Sequence, residues 1–220
     1  MARIAGDLLL LLLDNASSRP ALERDRRQRL LGAAVLLDLA HACRIRPAVA
    51  NEPIGAGSLL VLTGPDPPDP VLGQALNVLR RRPMTPAAAV TKLRRSVEPA
   101  LLVELAQAGQ IRPTRVSGKR FSRSLAWPFS DRTRVNEARA GLLSTLFDHR
   151  SPSPTTAAII SLLEAADGLH ALLSLNERGW QWVDNRAAEI ASGNWVHEFP
   201  TGLQEVNLAV TASALRPVLS

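Results

Sequence analysis

Residues 6–14 read GDLLLLLLD: six consecutive leucines, Leu8–Leu13, set between Asp7 and Asp14. Three readings compete for such a run. A secretory signal peptide needs a basic amino-terminal region and a small-residue cleavage site. Here only Arg3 precedes the run, Asp7 abuts it, and no small-x-small motif follows before Asp14. A membrane-spanning helix needs roughly 18 to 20 continuous apolar residues, and no stretch of the chain approaches that. A core helix remains. Leucine is a strong helix former without β-branching, so the run predicts a short helix buried on nearly all sides, with Asp7 as its N-cap.

The rest of the chain has the balance that such a core requires. Over 220 residues, 46% are hydrophobic and 21% charged, which predicts one soluble domain over residues 1–220. The single cysteine, Cys43, excludes an internal disulfide and fits a reducing compartment, where it is expected as a small buried hydrophobe. Of the 26 basic residues only Lys92 and Lys119 are lysines. With the many alanines, this points to a GC-rich, bacterial coding sequence. The charge is unevenly placed. Residues 80–139 hold fourteen basic and four acidic groups, a local net of +10, and residues 148–220 hold four basic and eight acidic, a net of −4. Such polarity gives one face that attracts polyanions: phospholipid headgroups, nucleic acid or an acidic protein.

Beyond the turn-rich NASSRP (15–20), residues 21–47 open with a charged turn. They become almost wholly apolar from Leu30 to Cys43, interrupted by Asp38 and His41. This predicts a mostly buried helix. GSLLVLTG (57–64) reads as a strand and PDPPDP (65–70) as a loop. Val71–Leu79 reads as a helix, and a long helix is expected from Pro86 to Gly109, split or kinked at Pro99. LLDLAHACRIRP (36–47) and LVELAQAGQIRP (102–113) align at an offset of 66, with seven of twelve positions identical. The repeated unit is a helix, a tight exit and a strand pair. In the second copy Ser117-Gly118 is the expected turn, and Phe121, Arg123, Leu125 and Trp127 alternate onto one face. The remainder is helical. Val135, Ala138, Leu142 and Leu146 trace one helix with Arg132 and Arg139 outward. Ser153 and Pro154 start another, running to about Leu175, and two more follow.

No phosphate-cradling loop, dinucleotide fingerprint or nucleophile elbow is present. His41, His149, His170 and His197 stand far apart, so no metal or cofactor is expected and the chain reads as non-enzymatic. What it carries is arginine interleaved with aromatics: Arg24, Arg26, Arg27 and Arg29; Arg80–Arg82; Arg94 and Arg95; and the 112–123 region beside Phe121, Trp127 and Phe129. Arginine grips phosphate with a two-pronged fork, and Trp and Phe settle at membrane interfaces. The parts suit a peripheral lipid binder. They also suit a DNA-binding regulator built on winged-helix-like helix–hairpin units, or a protein-interaction scaffold.

Six segments in series sharpen the choice. They are IAGDLLLLLLD (4–14), LLGAAVLLDLAHACRI (30–45), LLVELAQAGQI (101–111), WPFSD (127–131), PTTAAIISLLEAADGLHALL (154–173) and NRAAEI (185–190). Their order and spacing resemble the Golgi phosphoprotein 3-like family, in particular its bacterial branch, over essentially the whole chain. The resemblance implies a mainly α fold: a single-domain helical bundle with surrounding amphipathic helices and a projecting β-hairpin, here residues 112–129. Eukaryotic members bind phosphatidylinositol 4-phosphate on Golgi membranes and hold glycosyltransferases by their cytoplasmic tails, as adaptors and not enzymes. The hairpin takes part in membrane contact and self-association. The family's headgroup pocket uses a tryptophan and an arginine from the first long helix region and two arginines from the second. These positions fall at Glu23, Gly32, Arg95 and Glu98, so only Arg95 keeps the pattern. Arg29, one turn before Gly32, and Arg94, beside Arg95, are the candidates for a rebuilt anionic site. Leu125, Trp127 and Phe129 are the candidates for membrane insertion. The chain is therefore expected as a cytoplasmic peripheral protein on the inner face of a membrane, with anionic phospholipid as its partner ahead of other proteins or nucleic acid.

Overall fold

The leucine run is helical from further upstream than its sequence suggests. The computed structural model describes residues 3–52, 54–117, 123–198 and 202–219. Its first helix, α1, spans Arg3–Leu13, and every residue from Ile4 to Leu13 is buried. Asp7 is not the cap; it lies inside the helix, where its carboxylate meets Arg134. The backbone N–H groups of Arg3, Ile4 and Ala5 donate instead to the Asp38 carboxylate, at 3.0, 2.9 and 3.0 Å. Asp38 belongs to α2 (Arg24–His41), so the second helix caps the first and satisfies donors that α1 cannot satisfy itself.

Burial pushes the Asp38 carboxyl from its ordinary 3.8 up to about 7, against the pull of those three N–H bonds. The native state therefore keeps a proton that the unfolded chain gives up, and stability falls as pH rises from about 4 to 7. Asp38→Asn carries no such proton. As pH rises through that window, the melting temperature of the wild type is expected to drop by several degrees relative to D38N. Parallel curves would show that Asp38 is ionised throughout.

Around the central pair stand α3 (Pro70–Arg80), α4 (Pro86–Gln107), α5 (Thr133–Phe147), α6 (Pro154–Ala165), α7 (Glu177–Ala191) and α8 (Leu203–Leu219). α1 packs on α2, α4, α5 and α6, while α2 packs on α3, α4, α6 and α8, and α7 lies outside α5 and α6. Two antiparallel hairpins complete the description: β1 (Ile45–Pro47) with β2 (Leu59–Val61), and β3 (Thr114–Ser117) with β4 (Arg123–Ala126). The fold is mainly α. Ser153 caps α6 as the sequence predicts, and Asp69 and Thr85, which the sequence reading did not single out, cap α3 and α4 in the same way; each of the three helices begins with proline.

Four local expectations are corrected. Pro99 does not divide α4, which is continuous. Pro99 and the Arg95 whose carbonyl it cannot bond are both exposed, so water replaces the missing donor. α6 stops at Ala165 and not near Leu175, because Asp167 turns left-handed and the Gly168 N–H closes on the Leu163 carbonyl at 2.7 Å. Arg132 and Arg139 do not face outward alone, since both pair with Asp14 at the end of α1. Ser117 is a strand residue opposite Arg123 rather than part of the turn; Gly118 and Phe121 lie outside the described residues.

The internal echo is structural. After α2, the Cys43 N–H bonds the Ala40 carbonyl and the Arg44 N–H bonds that of Leu39. After α4, Gly109 and Gln110 bond Ala106 and Leu105 in the same pattern. Each exit leads into a hairpin. Cys43 and Gly109 both hold left-handed φ, +51° and +71°, a conformation that costs a residue with a Cβ about 1 kcal/mol. Cys43→Gly is expected to stabilise the protein by roughly 0.5–1 kcal/mol, the relieved strain outweighing the added freedom of the unfolded chain. A rise in the urea midpoint would show it, and a fall would mean that the thiol is held by packing.

Candidate anion-binding site

Two contacts set the register of α2 against α4. A Cβ on Gly32 would lie 3.5 Å from the Val90 carbonyl oxygen and 3.6 Å from the Arg94 Cα. Five residues earlier on α2, the Arg27 guanidinium reaches Glu98 Oε1, with Nε at 3.0 Å and Nη2 at 2.9 Å. The helices are therefore antiparallel, and Arg29 lies between these two contacts on α2 just as Arg94 and Arg95 do on α4. Along the helix axes, Arg29 therefore stands at about the level of Arg94 and Arg95. Arg29 and Arg94 are half-buried and Arg95 is exposed.

Pairing separates these arginines from Arg26 and Arg27, though Arg81, Arg82, Arg112, Arg115, Arg150 and Arg178 likewise hold no carboxylate among the described residues. Arg26 bonds Asp167 at 3.1 Å, and Arg27 is locked by Glu98 and by the Leu22 carbonyl at 2.8 Å. Arg46, Arg80, Arg186 and Arg216 each hold a carboxylate. Arg29, Arg94 and Arg95 form no ion pair or side-chain hydrogen bond with any described residue. Exposed Arg24, at the start of α2, is in the same state. Its place in a run of four arginines conceals this, because which members find acids depends on residues distant in sequence. Cations left without carboxylates can accept phosphate oxygens from outside.

The other positions of the headgroup pattern have structural work. Glu23 is the N-cap of α2 and accepts from the Asp25 and Arg26 N–H groups at 3.0 and 3.2 Å, bonds that hold its carboxyl below the usual range. At Gly32 a Cβ would meet the α4 backbone at ordinary contact distance, so the position lies against α4. Glu98 neutralises Arg27 within the helix pair.

The hairpin candidates divide. Leu125 is 49% exposed and pairs across the ladder with Arg115, which is also exposed. Trp127 and Phe129 pack against the core at the hairpin base. The Trp127 N–H bonds the Ser18 carbonyl at 2.7 Å, and the Arg132 guanidinium lies 4.8 Å from the centre of the Phe129 ring. Among the described residues no helix is long and apolar enough to cross a membrane, and no group of three or more His, Cys, Asp or Glu could hold a metal. α2 is buried from Leu30 to Ala40, so it cannot enter a DNA groove as a recognition helix.

The sequence model of the Golgi phosphoprotein 3 (GPP34) family matches residues 4–199, from α1 to the segment before α8. The chain belongs to that family. The mainly α fold with a small hairpin is in keeping with that membership. No curated protein matches the chain.

Proposed function

We propose that this chain is a non-enzymatic peripheral membrane protein that binds anionic phospholipid headgroups through Arg29, Arg94 and Arg95. The observation that carries this reading is the absence of a protein carboxylate on all three among the described residues, beside Arg26 and Arg27, which each hold one. Each basic residue close to an anionic bilayer contributes about 1 kcal/mol, and salt weakens the attraction. Exposed Leu125 on the projecting hairpin adds a small apolar contact. Because one of four headgroup positions is retained, the reading favours anionic phospholipid in general over phosphatidylinositol 4-phosphate in particular.

Flotation with vesicles tests it. Neutral phosphatidylcholine vesicles should leave the protein behind, and vesicles with phosphatidylglycerol should carry it up at low salt. Adding phosphatidylinositol 4-phosphate at matched surface charge should change little. Failure to float with any composition would refute lipid binding. A strong preference for the phosphoinositide would instead mean that these arginines rebuild the family pocket in full.

A further inference from the structure

A second site lies away from α2 and α4. α1, α5 and α6 enclose an open cleft of about 620 Å³. On α5 its wall runs from Thr133 to Thr145, thirteen residues, or about 18 Å of helix. In the middle of that wall are Ala138 and Gly141, whose small size keeps the floor open. A Cβ on Gly141 would come within 3.2 Å of Thr156 Oγ1.

The two ends of the cleft differ in chemistry. One end gathers Thr145, Arg150, Ser151, Ser153, Thr155 and Thr156, with no carboxylate among them, at the amino terminus of α6. Thr145 is 2% exposed and lines the cleft, yet its hydroxyl makes no hydrogen bond to any described residue. A hydroxyl that faces the cleft without a protein partner offers a place for an external acceptor or donor. The Arg150 side chain also forms no ion pair with a described residue. A guanidinium, several hydroxyls and the positive end of a twelve-residue helix suit a tetrahedral dianion, whose oxygens accept from several directions at once. The other end carries Asp131 and Glu137, acceptors suited to the hydroxyl groups of a polyol.

We propose that this cleft binds a phosphate monoester of a small polyol, with the phosphate at Thr145 and Arg150 and the polyol towards Glu137. The site does not depend on the lipid reading, because no residue of α2 or α4 lines it.

Calorimetric titration of the full chain with inorganic phosphate and with glycerol 3-phosphate tests it. Both should bind saturably, glycerol 3-phosphate more tightly. Arg150→Gln should weaken binding roughly tenfold and Thr145→Val about fivefold, the losses expected for a charge-assisted and a neutral hydrogen bond. Since the Thr145 hydroxyl has no protein partner, T145V should melt no lower than the wild type, which separates a binding defect from a folding one. Arg29→Ala, Arg94→Ala and Arg95→Ala should leave the titration unchanged. Capture of phosphatidic acid vesicles that R150Q abolishes would assign the phosphate to a lipid. Binding of the soluble probes alone would assign it to a free metabolite, and either upholds the site. No saturable binding of either probe, or binding that R150Q leaves intact, overturns it.

Discussion

Glu98→Ala is expected to lower the unfolding free energy by about 3–5 kcal/mol, because it strands a guanidinium inside the helix pair. The side chains of Arg27 and Glu98 are only 12% and 11% exposed. Arg27 keeps the Leu22 carbonyl after the change, which places the loss towards the lower end. Against a total stability of about 5–15 kcal/mol, that is a large share. Glu98→Arg restores the family residue and should cost more, since it sets two cations face to face. Removing both charges in R27M/E98M should cost less than the two single changes added together, because an apolar pair leaves no buried charge. Urea unfolding of the four proteins measures the coupling. Strict additivity would mean that the pair is solvated and contributes little. The acid at position 98, where the headgroup pattern has an arginine, is held by Arg27 within the helix pair.

The second large effect falls on binding. Arg29→Ala, Arg94→Ala and Arg95→Ala together should reduce affinity for anionic vesicles by roughly a hundredfold, taking about 1 kcal/mol for each cation near the surface. Stability should change less than in Glu98→Ala, since none of the three holds a described carboxylate and truncating the half-buried Arg29 and Arg94 removes only part of their packing. The contrast with Glu98 is the useful part. One position on α4 governs folding, three others govern binding, and the two sets are read by different experiments.

How much of this was legible in the sequence depends on the range of the interactions. Local signals read well: the leucine run as a core helix, the Ser153-Pro154 helix start, and the helix-to-hairpin exits after Ala40 and Ala106. Each is decided by a few consecutive residues. The misreadings concern partners far along the chain. Asp7 looked like a cap because it precedes the leucines, whereas the acid that caps α1 is Asp38, 33 to 35 residues away. Arg132 and Arg139 looked solvated because nothing acidic follows at helical spacing, and their partner Asp14 lies 118 and 125 residues back. Pro99 was read as a break because exposure on α4 was unknown. Family resemblance placed Arg29, Arg94 and Arg95, yet only tertiary structure shows that Arg26 and Arg27 are already occupied. The cleft between α1, α5 and α6 had no sequence signature, since serines and threonines are common in loops and helix starts.

Co-sedimentation of the wild type and the Arg29/Arg94/Arg95 triple alanine variant with phosphatidylglycerol vesicles, at low and high salt, tests the central claim most directly. The wild type should pellet with the vesicles at low salt and be released at high salt, while the correctly folded triple variant stays in solution under both conditions. Equal recovery of the two proteins with the vesicles would contradict the account, because these arginines would then have no part in holding the membrane.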